Sequence, residues 1–186
     1  MLHSGILYPG PDRDPTAFLE ALRTLLDAQP ELRHVLRVTL RATGHDDAFR
    51  PIVTGLGLSS IVALEPAIPY RQALAEMLSA QVLLVFQGYT SNPAVPAKLY
   101  EYFRAGRPIL ALADADGDTA ALMRNEGVGC VLPIDDSNAI ALGLRTFLID
   151  VEAGTVPIMS RERVATFERG VQAGELAALF SRVAKS

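Results

Sequence analysis

Cysteine is almost missing from this chain. Cys130 stands alone among 186 residues, so no intrachain disulfide can form. Cationic excess is missing too. Lys and Arg number 17 against 21 Asp and Glu, a net charge of −4. No run of Lys and Arg with interleaved aromatics occurs, so nucleic acid is not an expected partner. No apolar run approaches the length of a membrane span, so no transmembrane segment is expected. The N-terminus has no charged segment followed by an apolar stretch, hence no visible secretory signal. A cytoplasmic location is the expectation, with any peripheral membrane contact made through another domain. The three histidines, His3, His34 and His45, are scattered without metal-ligand spacing, and each is expected to be structural or superficial. There is no Gly-x-Ser-x-Gly elbow, no Walker loop and no Gly-x-Gly-x-x-Gly after the first apolar run. The last absence argues against a dehydrogenase.

What is present is core-forming material. Nearly half the residues are hydrophobic (49%), enough for one sizeable domain. Short apolar runs alternate with helical periodicity. Strands are expected at Leu2–Tyr8, Val35–Leu40, Ile61–Leu64, Val82–Phe86, Pro108–Leu112 and Cys130–Leu132. Between them, Phe18, Leu19, Leu22, Leu25 and Leu26 recur at helix spacing. Helices are also expected over Asp46–Leu56, Tyr70–Ser79 with Leu74, Met77 and Leu78 inward, Thr119–Asn125, and Ser137 to about Glu152. Val82–Phe86 does not alternate, which suits a strand buried on both faces. Six strands separated by helices imply an α/β fold, a Rossmann-like, doubly wound parallel sheet. Residues 1–155 form this unit. Residues 156–186 carry no strand pattern and form a helical extension of the same domain, with helices at Ser160–Gly170 and Ala173–Lys185. Ligands of such sheets bind beyond the carboxyl ends of the strands.

The segment Val95-Pro-Ala-Lys-Leu-Tyr-Glu-Tyr-Phe-Arg-Ala-Gly-Arg-Pro-Ile-Leu110 is the most informative. Pro96 suits a helix start. The N–H groups of Ala97, Lys98 and Leu99 would then point out of the helix end, where phosphate is attracted. Lys98 adds a full charge. Glu101 shares its face and offers two oxygens to a pair of ribose hydroxyls. From the spacing alone, an exposed lysine–glutamate pair is the commoner arrangement.

Pro-Ala-Lys-Leu-Tyr-Glu-Tyr followed by Ala-Gly-Arg-Pro-Ile-Leu resembles the donor-binding segment of GT-B glycosyltransferases of the GT4-like type. The resemblance extends over roughly residues 2–150. It implies the C-terminal, donor-binding half of an enzyme that moves sugar from a nucleoside diphosphate sugar to an acceptor. An N-terminal acceptor domain of the parent chain is then the missing partner, and the isolated chain is expected to be inactive. No cofactor and no metal is expected. The resemblance places Gly5 and Arg13 at the diphosphate beside Ala97, Lys98 and Leu99. It places Glu101 on the ribose and Ile68, in Glu65-Pro-Ala-Ile-Pro-Tyr70, beside the base.

The chain also departs from that family. Ile6 and Leu7 occupy the neighbourhood of a first basic residue. Pro93 stands where many GT4 enzymes carry the first of two glutamates. Thr90, Ser91 and Asn92 are the polar substitutes nearby, and no catalytic residue can be named. The rival reading is a non-catalytic nucleotide-binding or interaction module on the same fold. Asp114, Asp116 and Asp118 alternate as in a cation loop, but no calcium-loop pattern continues. Asp116 or Asp118 is expected to cap the following helix, as Asp135 or Asp136 caps the next. Cys130 is expected to be a small core residue.

Overall fold

The apolar runs are too short for helices and become strands. The computed structural model describes residues 1–183. The order is β1 (Leu2–Ser4), α1 (Thr16–Ala28), α2 (Leu32–Val35), β2 (Val38–Arg41), α3 (Asp46–Gly55), β3 (Val62–Glu65), α4 (Tyr70–Ser79) and β4 (Leu83–Gln87). Then follow α5 (Ala97–Ala105), β5 (Ile109–Ala113), α6 (Asp118–Glu126), β6 (Cys130–Leu132), α7 (Ser137–Ala153), α8 (Arg161–Thr166) and α9 (Arg169–Val183). The strands pair in parallel in the order β3-β2-β1-β4-β5-β6. This is a Rossmann-like, doubly wound sheet.

The burial explains the sequence. Every residue of β4 and β5 is buried. Leu84, Phe86, Leu110 and Leu112 face a core built with α1, α3 and α7. Leu83, Val85, Ile109 and Ala111 face a second core built with α4, α5 and α6. All five expected apolar residues of α1 are buried. Chain order reverses between β1 and β4: the chain proceeds outward from β1 through β2 and β3, then returns to start the other half. Ligands of such sheets bind in the crevice beyond the strand ends at this switch point, where the loops leaving β1 and β4 meet through Asp12, Gly88 and Ser91.

Several elements differ from expectation. β1 stops at Ser4 because Gly5 takes φ +134°, although Gly5 and Leu7 still donate to the carbonyls of Arg41 and Thr43. Val35 belongs to the helical turn α2 and is 75% exposed, so β2 starts later. Leu78 is 52% exposed, because α4 turns Met77 and Leu74 toward the core instead. α3 runs Asp46–Gly55 as expected, with Pro51 inside it. Cys130 is only half-buried, since β6 is an edge strand, and burial raises its thiol pKa. No aspartate caps α6: its cap residue is Gly117, and the Asp114 carboxylate instead accepts from the Asp116 N–H and the Asn92 amide. Asp136 does cap α7, accepting from the Ala139 N–H at 2.9 Å. No group of three or more potential metal-ligating side chains occurs among the described residues. Lys185, the expected end of the last helix, lies outside the described residues.

α8 lies against α5. Phe167, just past α8, packs its ring on Tyr100 and Phe103 at centroid distances of 5.4 and 6.0 Å. Arg163 forks onto Glu126 of α6 and stacks over Phe167. By contrast every described residue of α9 is exposed.

Candidate functional site

The crevice is built where β1, β4 and the start of α5 meet. Gly5 leaves β1 with a positive φ and no side chain. The Lys98 ammonium fills the space above it: a Cβ on Gly5 would stand less than 3.0 Å from Nζ. Nζ donates to the Ser4 carbonyl at 2.9 Å and lies 3.4 Å from Nε2 of His3. His3 is fully buried. Its Nδ1 is 3.0 Å from the carbonyl of Leu84, and its ring meets Phe86 edge-on. Burial, then the nearby lysine charge, holds the imidazole pKa down to about 3. Lys98 is itself lowered to about 8, by burial first and then by Arg13, with Glu101 opposing.

Arg13 comes from the β1–α1 loop. Its Nε donates to Oε1 of Gln87 at 3.3 Å, and its guanidinium lies 5.9 Å from the centre of the Tyr8 ring. Asp12 is its ion-pair partner at 3.7 Å, a loose pairing. Gln87 ends β4, is buried, and spends its amide N–H groups on the carbonyls of Ser91 and Ala94. Gly88 follows. A Cβ there would collide with the carbonyls of Pro11 and Asp12, and its N–H donates to the Asp12 carbonyl. The missing side chain lets the β1 and β4 loops touch, which carries Arg13 over the crevice. Two cations thus meet at the switch point, and Lys98 has no ion-pair partner among the described residues.

α5 begins at Ala97, with Pro96 as its cap residue at φ −64°. The N–H groups of Ala97 and Lys98 have no hydrogen-bond partner among the described residues. Leu99 does not share this freedom. Its N–H is taken by the Pro96 carbonyl at 2.9 Å in a tight first turn, and its side chain is fully buried. Glu101 is exposed one turn on. Ile68 is half-buried in the β3–α4 loop. A cleft of about 620 Å³ opens beside it, lined by Ala42–Ala48 and Glu65–Ala67. Tyr8 and His45 approach each other at the cleft side, ring centres 5.6 Å apart. A second cleft, about 410 Å³, lies between the β5 and β6 ends and α6. Neither cleft is lined by Lys98 or Glu101. Pro93 is exposed. Two of the three polar substitutes are already engaged: Ser91 donates to Asp12 at 2.7 Å and Asn92 to Asp114 at 2.9 Å.

Known proteins share this architecture. No protein-family model matches the sequence. A D-inositol 3-phosphate glycosyltransferase of Streptomyces avermitilis is 29% identical over 153 residues, covering 75% of this chain and 30% of that protein. The crystal structure of α,α-trehalose 6-phosphate synthase from Burkholderia multivorans superposes with a TM-score of 0.71 at 13% identity, over 99% of this chain and 42% of that one. The C-terminal domain of a glycosyl transferase group 1 family protein (LpcC) from Francisella tularensis gives 0.58 at 14% identity, over 83% and 77%. The chain resembles the GT-B glycosyltransferases in sequence and shares their fold. It spans about a third of the length of the curated relative it matches.

Within this glycosyltransferase-like fold, the structure brings Gly5, Arg13, Ala97 and Lys98 to one place. Ile68 stays outside that group, and Leu99 contributes packing. Sequence reasoning passed over three contributors. Gln87 and Gly88 fall just past the expected strand Val82–Phe86, and only the contact with the β1 loop reveals their use. His3 read as one of three scattered histidines. Its position two residues before Gly5, on a strand at the switch point, was the available signal.

Proposed function

We propose that this chain is the donor-binding half of a GT-B, GT4-like glycosyltransferase that transfers sugar from a nucleoside diphosphate sugar to an acceptor. The observation that carries this reading is the pair of cations at the switch point, with Lys98 held by neutral groups alone. Such a site suits a diphosphate. In the reaction, the bond from the sugar to the diphosphate breaks and negative charge grows on the leaving oxygen. Lys98, Arg13 and the free N–H groups of Ala97 and Lys98 stand ready to stabilise that charge before it develops. Glu101, one helical turn away, accepts from the ribose hydroxyls. The base lies toward the β3–α4 loop, with Ile68 and the neighbouring cleft at hand. The similar proteins named above, a D-inositol 3-phosphate glycosyltransferase and the C-terminal domain of a group 1 glycosyl transferase, support this assignment. The acceptor domain belongs to the remainder of a longer parent chain, and the protein works in the cytoplasm.

Pro93 leaves the sugar without a first carboxylate, so sugar contacts fall to backbone groups and to Thr90. Calorimetry with UDP, GDP and ADP against their nucleosides tests the reading. A diphosphate should bind at least tenfold more tightly than its nucleoside, and Lys98→Met should remove most of that difference. Equal affinities for nucleoside and diphosphate would overturn the assignment.

A further inference from the structure

We propose that His3 is the positioning residue for Lys98, holding its ammonium over Gly5 through the lone pair on Nε2. The inference rests on the anion site proposed above and adds a buried group to it. A carbonyl only accepts, so the 3.0 Å contact with the Leu84 carbonyl requires a proton on Nδ1. The ring is neutral, because burial and the nearby lysine hold its pKa at about 3. Nε2 then carries a lone pair, 3.4 Å from Nζ of Lys98. One chain of contacts runs from the Leu84 carbonyl on β4, through His3 on β1, to Lys98 on α5 and back to the Ser4 carbonyl. It ties together the three elements that meet at the switch point.

The choice of acceptors has a consequence. A carboxylate would hold Lys98 equally well but would cancel its charge. The imidazole lone pair and the Ser4 carbonyl orient the ammonium and leave its full charge for an anion. A lysine side chain otherwise loses rotamer entropy on being fixed. Holding it in advance moves that cost from the binding step to folding. The titratable groups that face Lys98 are Arg13 from the β1–α1 loop, Glu101 from its own helix, and His3 from β1. His3 alone among these touches Nζ with a neutral side chain.

A double-mutant cycle tests the proposal, with inorganic pyrophosphate as the probe at pH 7. His3→Leu should weaken binding roughly five- to tenfold while Lys98 is present. On the Lys98→Met background it should change affinity less than about twofold. His3→Gln, whose amide oxygen still accepts, should retain parental affinity within about threefold. An equal loss on both backgrounds would show that His3 merely supports the fold, and overturns the proposal, as does no loss at all. Nitrogen-15 spectra of His3 need no ligand and remain informative if His3→Leu does not fold. They should show Nδ1 protonated and Nε2 bare between pH 5 and 9. The opposite tautomer overturns the proposal. A carbon-13 titration of Lys98 Cε supplies a further readout: its midpoint, about 8 in the parent, should move up toward 10.5 in His3→Leu as the amine swings into water. An unmoved midpoint also overturns it. If the parent binds neither pyrophosphate nor a nucleoside diphosphate, the anion-site reading fails, while the tautomer and the Lys98 titration still judge the role of His3.

Discussion

Single residues set the crevice, and glycines set it most sharply. Gly88→Ala places a methyl against two backbone carbonyls that have nowhere to go. A loss of about 2–3 kcal/mol is expected, read from denaturant midpoints. Gly5→Ala meets a different neighbour, the flexible tip of Lys98. The amine can retreat, so the expected effect falls on anion affinity more than on the melting temperature, apart from the strain of φ +134°. Glu101→Ala should weaken a nucleoside diphosphate by about 1.5–3 kcal/mol in calorimetry while the melting temperature stays put. An unchanged affinity would take Glu101 out of the site. His3 predicts a pH dependence of folding. Its pKa is 6.5 in the unfolded chain and about 3 when folded. Its contribution is complete above pH 6.5 and is lost as pH falls toward 3, because the unfolded chain takes up a proton that the buried ring refuses. The loss is on the order of 5 kcal/mol at the acid end. His3→Gln should flatten the acid limb of the stability curve. An acid limb as steep as the parent's would count against this account.

At the scale of elements, α5 does two jobs. Leu99, Tyr102 and Phe103 bury one face, and that packing fixes where the other face carries Lys98 and Glu101. Gly106 ends the helix in the left-handed conformation, and Pro108 then leads into β5. α8 braces the same helix through Phe167, which touches Tyr100 and Phe103. Phe167 is half-buried, so Phe167→Ala should cost about 1–2 kcal/mol. Hydrogen exchange should speed up in α8 first and in α5 less, with β4 and β5 unchanged. Uniform acceleration across the sheet would mean that α8 is integral to the core. α9 has no buried residue among those described. Leu176, Leu179, Phe180 and Val183 recur on one face of it and are exposed.

At the scale of the whole molecule, the fold is a complete six-stranded sheet with a core on each face, and it spans about a third of the curated relative it matches. The 186-residue chain should therefore fold cooperatively and bind a nucleoside diphosphate. On the donor-half reading proposed above, it should not transfer sugar to an acceptor, because closure against a facing domain would be needed to exclude water. The assay offers this chain several sugar nucleotides and a range of acceptors. Sustained acceptor-dependent transfer by the 186-residue chain would refute the two-domain reading.

The sequence by itself determined the fold class and the order of its elements. Apolar runs of three to seven residues, separated by helical periodicity, leave few other ways to bury Val82–Phe86 and Pro108–Leu112. It also singled out residues 95–110, because a proline, a lysine and a glutamate at a helix start are local features. Boundaries were less legible. Val35 looks like strand and is helix, because only the pairing of β2 with β1 and β3 decides where extension begins. Asp116 and Asp118 look like caps, yet Gly117 takes the cap position and Asp118 falls inside the first turn of α6. The tertiary structure alone decided the company of Lys98. His3 is 95 residues away in the chain, and Arg13 is 85 away. Both arrive because β1 and β4 lie side by side at the point where chain order reverses. No local pattern encodes that adjacency. It follows from closing one sheet over two cores, which sets a buried imidazole beside the lysine and leaves the lysine's charge free.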